Sequence, residues 1–415
     1  MGRSVPEPTP DTTAAVSEAE SVTQSGISKS TLDVLATVVE LGGSPQAMCM
    51  LATSYLELGE YDSARRCASA ALEREPAFAP ARDVLAKVNL ASRDYVSALS
   101  DYLALAALSH EQRPIPPEKY PAPAHFALRN IEQIDHILAT GNHDGDAFAG
   151  VFTEELEGLR GRLVDMIDGA NGEPPWITVE GRNGLSLADP PYVRVTEERL
   201  PRYLNTDVDY GPIQDAISTG RLKVKVIDDF LTPDALAQVQ RLCLESTVWR
   251  HPYKFGYVGA FPQDGFVSPS LFAIAEELEA ALGEAFDKYH LAQWWSFEYD
   301  RMLPGTDVHG DDADFSLNFW ITPDSANLDP NTGGLVIWDK TPPSDWSYND
   351  YNSGGDRVWD YLREHNAEST VIPYRANRAV LFEARLFHRT DGFSFAPGFE
   401  NRRRSVTFLF RRRKG

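Results

Sequence analysis

Val308–Asp339 reads VHGDDADFSLNFWITPDSANLDPNTGGLVIWD, and its texture is that of a β protein. Two runs dense in aromatic and branched residues, FSLNFWI and LVIW, flank a stretch of Pro, Asp, Ser, Asn, Thr and Gly that reads as a turn. Just ahead of the first run stand His309 and Asp311. On an extended strand, residues two apart point to the same face, so this imidazole and carboxylate can grip one cation together. Taken alone the pair is a weak signal, because the pattern arises often by chance.

Downstream lies AVLFEARLFHRTDGF, in which Ala379–Phe382 reads as a buried strand and His388 follows a short turn. Two histidines and one carboxylate leave three metal positions open, an arrangement that suits non-haem Fe(II). Zinc could use the same ligands, but a hydrolytic zinc site would not explain the next feature. Arg403-Arg404-Ser405 opens the strand SVTFLF. A guanidinium inside a barrel is costly unless paired, and its fork matches a carboxylate. Ser405, two residues on, shares the face of Arg403 and can add a second hydrogen bond. Neighbouring residues leave alternatives open: Asp312 and Asp314 beside Asp311, and Arg402 and Arg404 beside Arg403. Strand alternation favours Asp311 and Arg403, although a register slip would change the arginine.

Upstream, KVKVIDDFL (Lys223–Leu231) alternates as a strand should, and TPDALAQVQRLCLES offers Thr232 as N-cap with Pro233 at the first helical position. Ser270–Tyr289 reads as an amphipathic helix. Trp294, Trp295, Phe297 and Tyr299 follow; such a run is more often core than a substrate platform, with Tyr299 the exception to test. The whole C-terminal part reads as a β core flanked by helices.

From Leu32 to Leu108 the pattern is helical and rich in alanine. Ala52, Tyr61, Ala64 and Ala71 recur 34 residues later as Ala86, Tyr95, Ala98 and Leu105. Small residues at fixed points let antiparallel helices approach closely, and Pro76 ends the second one. Pro114, Pro116, Pro117, Pro121 and Pro123 mark a bend. Two further helices are expected over His125–Thr140 and Glu154–Asp168, then a connector rich in Gly and Pro. Residues 1–28 hold no aromatic residue and are expected to be disordered.

With 415 residues, 42% hydrophobic and 24% charged, the chain can bury a sizeable core. Its formal net charge of −22 opposes binding to nucleic acid. The odd set Cys49, Cys67 and Cys243 forms neither a disulfide framework nor a CxxC metal site, and fits a reducing cytoplasm. No run of about 18 apolar residues marks a membrane span, and the N-terminus lacks a secretory pattern. The loop Lys340–Arg357, with Trp346, Tyr348 and Tyr351, is either a lid or a plain insertion. The basic run Arg411–Lys414 is a solvated tail or docks on the acidic body.

Two resemblances can be stated on these residues. LATSYLELGEYDSARRCASAALEREP resembles a tetratricopeptide repeat through Ala52, Tyr55, Gly59, Tyr61, Ala64, Ala71 and Pro76; its second copy departs at Asn89 and Arg93, which stand for Tyr55 and Gly59. Lys223–Phe410 resembles the 2-oxoglutarate/Fe(II) oxygenase superfamily, with prolyl-hydroxylase-like texture. His309 and Asp311 match its HxD, His388 its distal histidine, and Arg403 with Ser405 its R-x-S. Thr332-Gly333-Gly334-Leu335 resembles its glycine turn, and Tyr299 a tyrosine that can touch the cosubstrate.

The resemblance implies an α+β chain: a disordered tail (1–28), a tetratricopeptide-like helical domain (29–170), a connector (171–221) and a double-stranded β-helix, a jelly-roll or cupin-like barrel (222–415). It implies iron(II) on His309, Asp311 and His388, 2-oxoglutarate near Arg403, Ser405 and Tyr299, and dioxygen as co-reactant. The reaction would be hydroxylation, or desaturation or cyclisation, of a peptide or protein side chain or of an amino-acid-derived natural-product intermediate. The helices would present the substrate, engage a protein partner, or brace the barrel. The rival expectation is a non-catalytic adaptor that binds proteins through its helices and carries a relic barrel.

Overall fold

The computed structural model describes residues 43–111, 119–140, 153–168, 176–180, 192–253, 256–300, 305–352 and 355–414. The expected disordered tail lies outside the described residues.

Among the described residues the first elements are four helices: α1 Pro45–Glu57, α2 Tyr61–Arg74, α3 Ala79–Ala91 and α4 Tyr95–Glu111. The starts of α1 and α3, and of α2 and α4, are 34 residues apart, the period read from the sequence. Ser44 caps α1 by accepting from the Ala47 amide. Ala52, Ala64, Ala68, Ala71 and Ala81 are fully buried where the helices meet, as close approach requires. Both departures of the second copy have physical reasons. Gly59 has φ +80° and its counterpart Arg93 keeps the left-handed turn at φ 58°. Strain from a side chain there is offset by tertiary bonds: Arg93 donates to the carbonyls of Phe286 (2.8 Å) and Tyr289 (2.7 Å) and pairs with Glu279 at 3.0 Å. Asn89 donates to Asp101 at 2.7 Å and accepts from Arg65. The basic tail docks on the same helices, where the Lys414 amide donates to the Tyr61 hydroxyl. Its backbone comes so close to Gly59 that a Cβ there would lie 2.3 Å from the Lys414 carbonyl oxygen.

Strand β1 (Lys119–Pro123) lies in the proline-rich bend and pairs antiparallel with β2 (Trp176–Glu180) inside the expected connector. Helices α5 (Ala124–Thr140) and α6 (Thr153–Asp168) stand between them, and α7 (Gly211–Ser218) completes the connector. There follow β3 (Val224–Ile227), α8 (Pro233–Glu245), β4 (Trp249–Tyr253), β5 (Tyr257–Ala260), α9 (Pro269–Leu282) and β6 (Tyr289–Tyr299). Thr232 caps α8 as expected, accepting from Ala235. Helix α9 stops short of Tyr289 because Gly283, at φ 55°, turns the chain out of the helix. The remaining elements are β7 (Phe315–Trp320), β8 (Leu335–Trp338), α10 (Tyr348–Asn352), α11 (Gly355–Glu364), β9 (Ser369–Ile372), β10 (Ala379–Glu383), β11 (His388–Thr390) and β12 (Arg403–Arg412).

The C-terminal strands form two antiparallel sheets, in the manner of a jelly roll. One has seven strands in the order β3-β10-β7-β12-β6-β5-β4, the other three in the order β11-β8-β9. Trp320, Val380 and Phe382 of the large sheet meet Leu335, Ile337 and Ile372 of the small one in a core between them. The opposite face of the large sheet, through Leu317, Phe319, Leu381 and Phe408, packs on α8 and α9. This second core runs without interruption from Ala86 of α3 through Leu159 of α6 to Phe410, so the helical region and the sheet bury one common surface. The loop Lys340–Arg357 carries α10 and leads into α11. Tyr351, Val358 and Leu362 pack there with Val308, Trp338 and Phe387 in a small core of their own. Among the described residues no helix is long and apolar enough to cross a membrane.

Candidate metal centre

His309 and His388 lie on facing chain segments joined by an isolated antiparallel bridge. Each amide donates to the other residue's carbonyl, at 2.9 and 2.8 Å. Such a pair projects both side chains to one side, and the rings sit 4.3 Å apart between centroids. Nδ1 of His309 lies 2.7 Å from the Asp307 carbonyl and Nδ1 of His388 lies 2.8 Å from the Leu386 carbonyl. A carbonyl can only accept, so both rings carry a proton on Nδ1 and turn Nε2 toward Asp311, where it could serve as a ligand. Burial, then the neighbouring His309, lowers the His388 pKa to about 4, so its Nε2 is free of a proton at neutral pH.

The carboxylate arrives two residues after His309. The Asp311 amide donates to Ala384 at 2.9 Å, and the Gly310 amide to Tyr351 at 3.1 Å. Asp311 Oδ1 lies 3.9 Å from His309 Nε2, and Oδ2 lies 3.5 Å from His388 Nε2. One ligand atom from each of the three residues falls within 4.8 Å of the others. Asp312 turns away to pair with Arg411 at 2.8 Å, and Asp314 accepts from the Arg412 amide. Of the three neighbouring acids, Asp311 alone joins the histidines.

Arg403 opens β12 and is 1% exposed. Its Nε donates to the Gly333 carbonyl at 2.6 Å and Nη2 to that of Gly334 at 3.3 Å. The glycine turn is shaped for this. Gly333 has φ +85°, and a Cβ on Gly334 would fall 1.8 Å from the Ile372 carbonyl oxygen. Tyr299, Phe393 and Tyr374 surround the guanidinium at 4.9, 5.6 and 5.9 Å. Nη1 is buried without a hydrogen-bond partner, and no carboxylate pairs with Arg403 among the described residues. Burial lowers its pKa, opposed by the hydroxyls of Tyr299 and Tyr374. A buried cation with an unused donor calls for an anion. Arg402 and Arg404 face the other way: Arg402 pairs with Glu132 and Arg404 with Glu298.

One cavity joins these groups. His309, Asp311 and His388 line it together with Arg403, Ser405 and Tyr299. Tyr299 stands opposite Arg403 in the β6–β12 register; its hydroxyl lies 3.4 Å from Thr390 Oγ1, which is 2.8 Å from Thr306 Oγ1. The structure therefore brings all six candidate residues to one cavity. It adds Trp295 and Phe297 from β6 and Ser316, Asn318 and Thr407 from the floor of the large sheet. Alternation along β6 sorts the aromatic run: Trp294 is buried on the helical side, whereas Trp295, Phe297 and Tyr299 face the cavity. The same rule would have singled them out once Arg403 was placed on its face.

No protein-family model matches this chain, and no curated protein matches it. Several solved structures resemble it in part. The non-heme alpha-ketoglutarate-dependent epimerase SnoN from nogalamycin biosynthesis aligns over 48% of this chain and 84% of its own, at 13% identity and a TM-score of 0.36. A prolyl-4-hydroxylase of Pseudomonas putida aligns over 51% of this chain and 100% of its own, at 14% identity and a TM-score of 0.30. EctD from S. alaskensis, solved with 2-oxoglutarate and 5-hydroxyectoine, aligns over 53% and 82%, at 13% identity and a TM-score of 0.32.

Proposed function

We propose that this protein is an iron(II)- and 2-oxoglutarate-dependent oxygenase built on a double-stranded β-helix, with tetratricopeptide-like helices packed against it. The observation that carries the reading is the pairing, in one cavity, of the His309–Asp311–His388 group with a buried guanidinium whose Nη1 has no partner. That second feature is what a 2-oxo acid with a distal carboxylate calls for. When bound, iron(II), 2-oxoglutarate and dioxygen together supply an oxidant for an unactivated C–H bond, with succinate and carbon dioxide as by-products.

The chain's own residues do the positioning. His309, Asp311 and His388 would hold the metal. Arg403 offers Nη1 to the distal carboxylate of the 2-oxo acid, Ser405 adds a hydroxyl two residues along, and Tyr299 packs against the same end. The walls contributed by Phe382 and Leu335 keep bulk water from the reacting atoms. Substrate would be a peptide or protein side chain or a small natural-product intermediate. Cys49, Cys67 and Cys243 are all unpaired, in keeping with a reducing cytoplasmic setting.

Anaerobic titration of the protein with Fe(II) and 2-oxoglutarate tests the reading through the weak visible charge-transfer band of their chelate. The band is expected in the wild type, absent in His309→Ala, and weakened in Arg403→Ala at equal 2-oxoglutarate. Well-folded protein without the band would overturn the assignment.

A further inference from the structure

The cavity contains four groups that carry or can carry charge: His309, Asp311, His388 and Arg403. In the oxygenase reading, on which this inference rests, all four are engaged by the metal and the 2-oxo acid. Every other described residue of the lining is uncharged. On the floor, Ser316 is 1% exposed and its Oγ has no hydrogen-bond partner. Next to it along β7, Asn318 donates through Nδ2 to Thr407 Oγ1 at 2.8 Å and leaves Oδ1 buried and unpartnered. Buried acceptors in this state are costly unless a ligand satisfies them.

The wall beside this floor is aromatic and continues out of the cavity. Trp295 and Phe297, 6.1 Å apart, line it and are both part-exposed. Tyr257 on the adjacent strand packs edge-on to Phe297 at 5.2 Å, and Tyr253 stacks on Tyr257 at 4.4 Å and 9°. The rings have room because position 259 is glycine. A Cβ there would lie 2.7 Å from the Phe261 ring and 3.2 Å from that of Phe297. Phe297 and Tyr257 pack with one side against the core between the sheets, and the part-exposed side of the row, beside the cavity, offers a ligand an aromatic surface.

We propose that the substrate presents an uncharged group to the metal, with a hydrogen-bond donor that reaches Asn318 and Ser316, and that this group is carried on a planar aromatic body lying along Trp295, Phe297 and Tyr257. A free amino acid fits poorly, because its ammonium and carboxylate find no counter-charge among the described residues of the lining once the cosubstrate is in place. An aromatic residue within a peptide, or a neutral aromatic small molecule, satisfies both surfaces.

The test uses the full chain loaded anaerobically with Fe(II) and 2-oxoglutarate. N-acetyl-L-tryptophanamide serves as the uncharged aromatic probe, and L-glutamate and L-lysine as charged comparators. The probe is expected to perturb the chelate band at millimolar concentration, and the comparators to leave it unchanged. Trp295→Ala is expected to weaken the response to the probe at least tenfold while the band itself still forms, and Trp295→Phe to restore most of it. A band that forms and responds equally to glutamate or lysine would overturn the inference and leave the oxygenase reading standing. So would a band whose response to the probe survives Trp295→Ala. Absence of the band in the wild type would remove the reading and the inference together.

Discussion

His309 and His388 exchange both of their backbone hydrogen bonds, and each ring is held by the carbonyl two residues before it. The relative placement of the two rings is thus set by backbone pairing. Asp311 is fixed in the same way, through the Ala384 carbonyl.

This geometry separates Asp311 from its neighbour. Loss of a group that merely orients a metal ligand costs about 10–100-fold in affinity, so loss of a ligand should cost more. Asp311→Ala is expected to weaken Fe(II) binding by more than about a hundredfold. Asp312, paired with Arg411 at the surface, is expected to tolerate alanine with Fe(II) affinity within about twofold. Anaerobic iron titration of the two variants decides; equal losses would mean that the carboxylate has been misassigned.

The glycine turn makes a second prediction. A methyl group on Gly334 would strike the Ile372 carbonyl, which is backbone and cannot swing aside. Gly334 also accepts from Arg403. Gly334→Ala should therefore destabilise the protein by about 2 kcal/mol or more and weaken 2-oxoglutarate at least tenfold. Urea unfolding reads the first effect and cosubstrate titration of the chelate band the second. A stable variant with unchanged 2-oxoglutarate affinity would show that Arg403 does not depend on this turn.

Much of the site was legible because its signals are local. His309 and Asp311 are two apart, but they stand ahead of β7 in an isolated bridge and a loop, and it is their backbone bonds to His388 and Ala384 rather than a strand that bring them together. Arg403 and Ser405 sit two apart on β12, so strand alternation puts that pair on one face. The same alternation assigns Arg402 and Arg404 to the opposite face. What alternation could not say is what that face meets. Glu298, beside Tyr299 on β6, gives no sign in the sequence that it is 1% exposed. Its partner Arg129 lies 169 residues away in α5. The docking of Lys414 on Gly59 is hidden for the same reason, since tertiary pairing across the chain has no period to read. The two departures of the second copy, Asn89 and Arg93, are points where side chains make bonds that the sequence does not announce.

Glu298 gives a pH prediction. Burial pushes its carboxyl up, but Arg129, Arg404 and Arg402 together outweigh it and bring the pKa down from 4.5 to about 2. A group whose pKa is depressed on folding contributes stability that is complete above its unfolded value. That stability is lost as the pH falls from about 4.5 through about 2. The size of the drop corresponds to about 3 kcal/mol. Glu298→Gln cannot titrate, so its urea midpoint should lie below that of the wild type at pH 6, with the gap narrowing toward pH 3. A constant gap would show that the ion pairs of Glu298 do not depend on its charge.

Arg129 tests how the helices relate to the sheet region that carries the candidate site. It is fully buried, donates to Glu298 at 3.0 Å, and stacks over Trp249 and Phe399 at 5.2 and 5.3 Å. Glu298 in turn bonds Arg404, the residue next to Arg403. Breaking one partner of a buried pair costs about 3–5 kcal/mol. Arg129→Met is therefore expected to lower stability by about 3 kcal/mol. Because the disturbance enters at β6 and β12, it should also weaken 2-oxoglutarate more than Fe(II), whose ligands lie on other segments. Deleting residues 1–170 removes Arg129 together with Ala86, Leu159 and the rest of the helical wall of the common core, so the truncated chain is expected to aggregate rather than to bind iron as an isolated barrel. If it remains folded and binds Fe(II) and 2-oxoglutarate with wild-type affinity, the helices are a separable module, and a presenting or partner-binding role becomes the reason they are there.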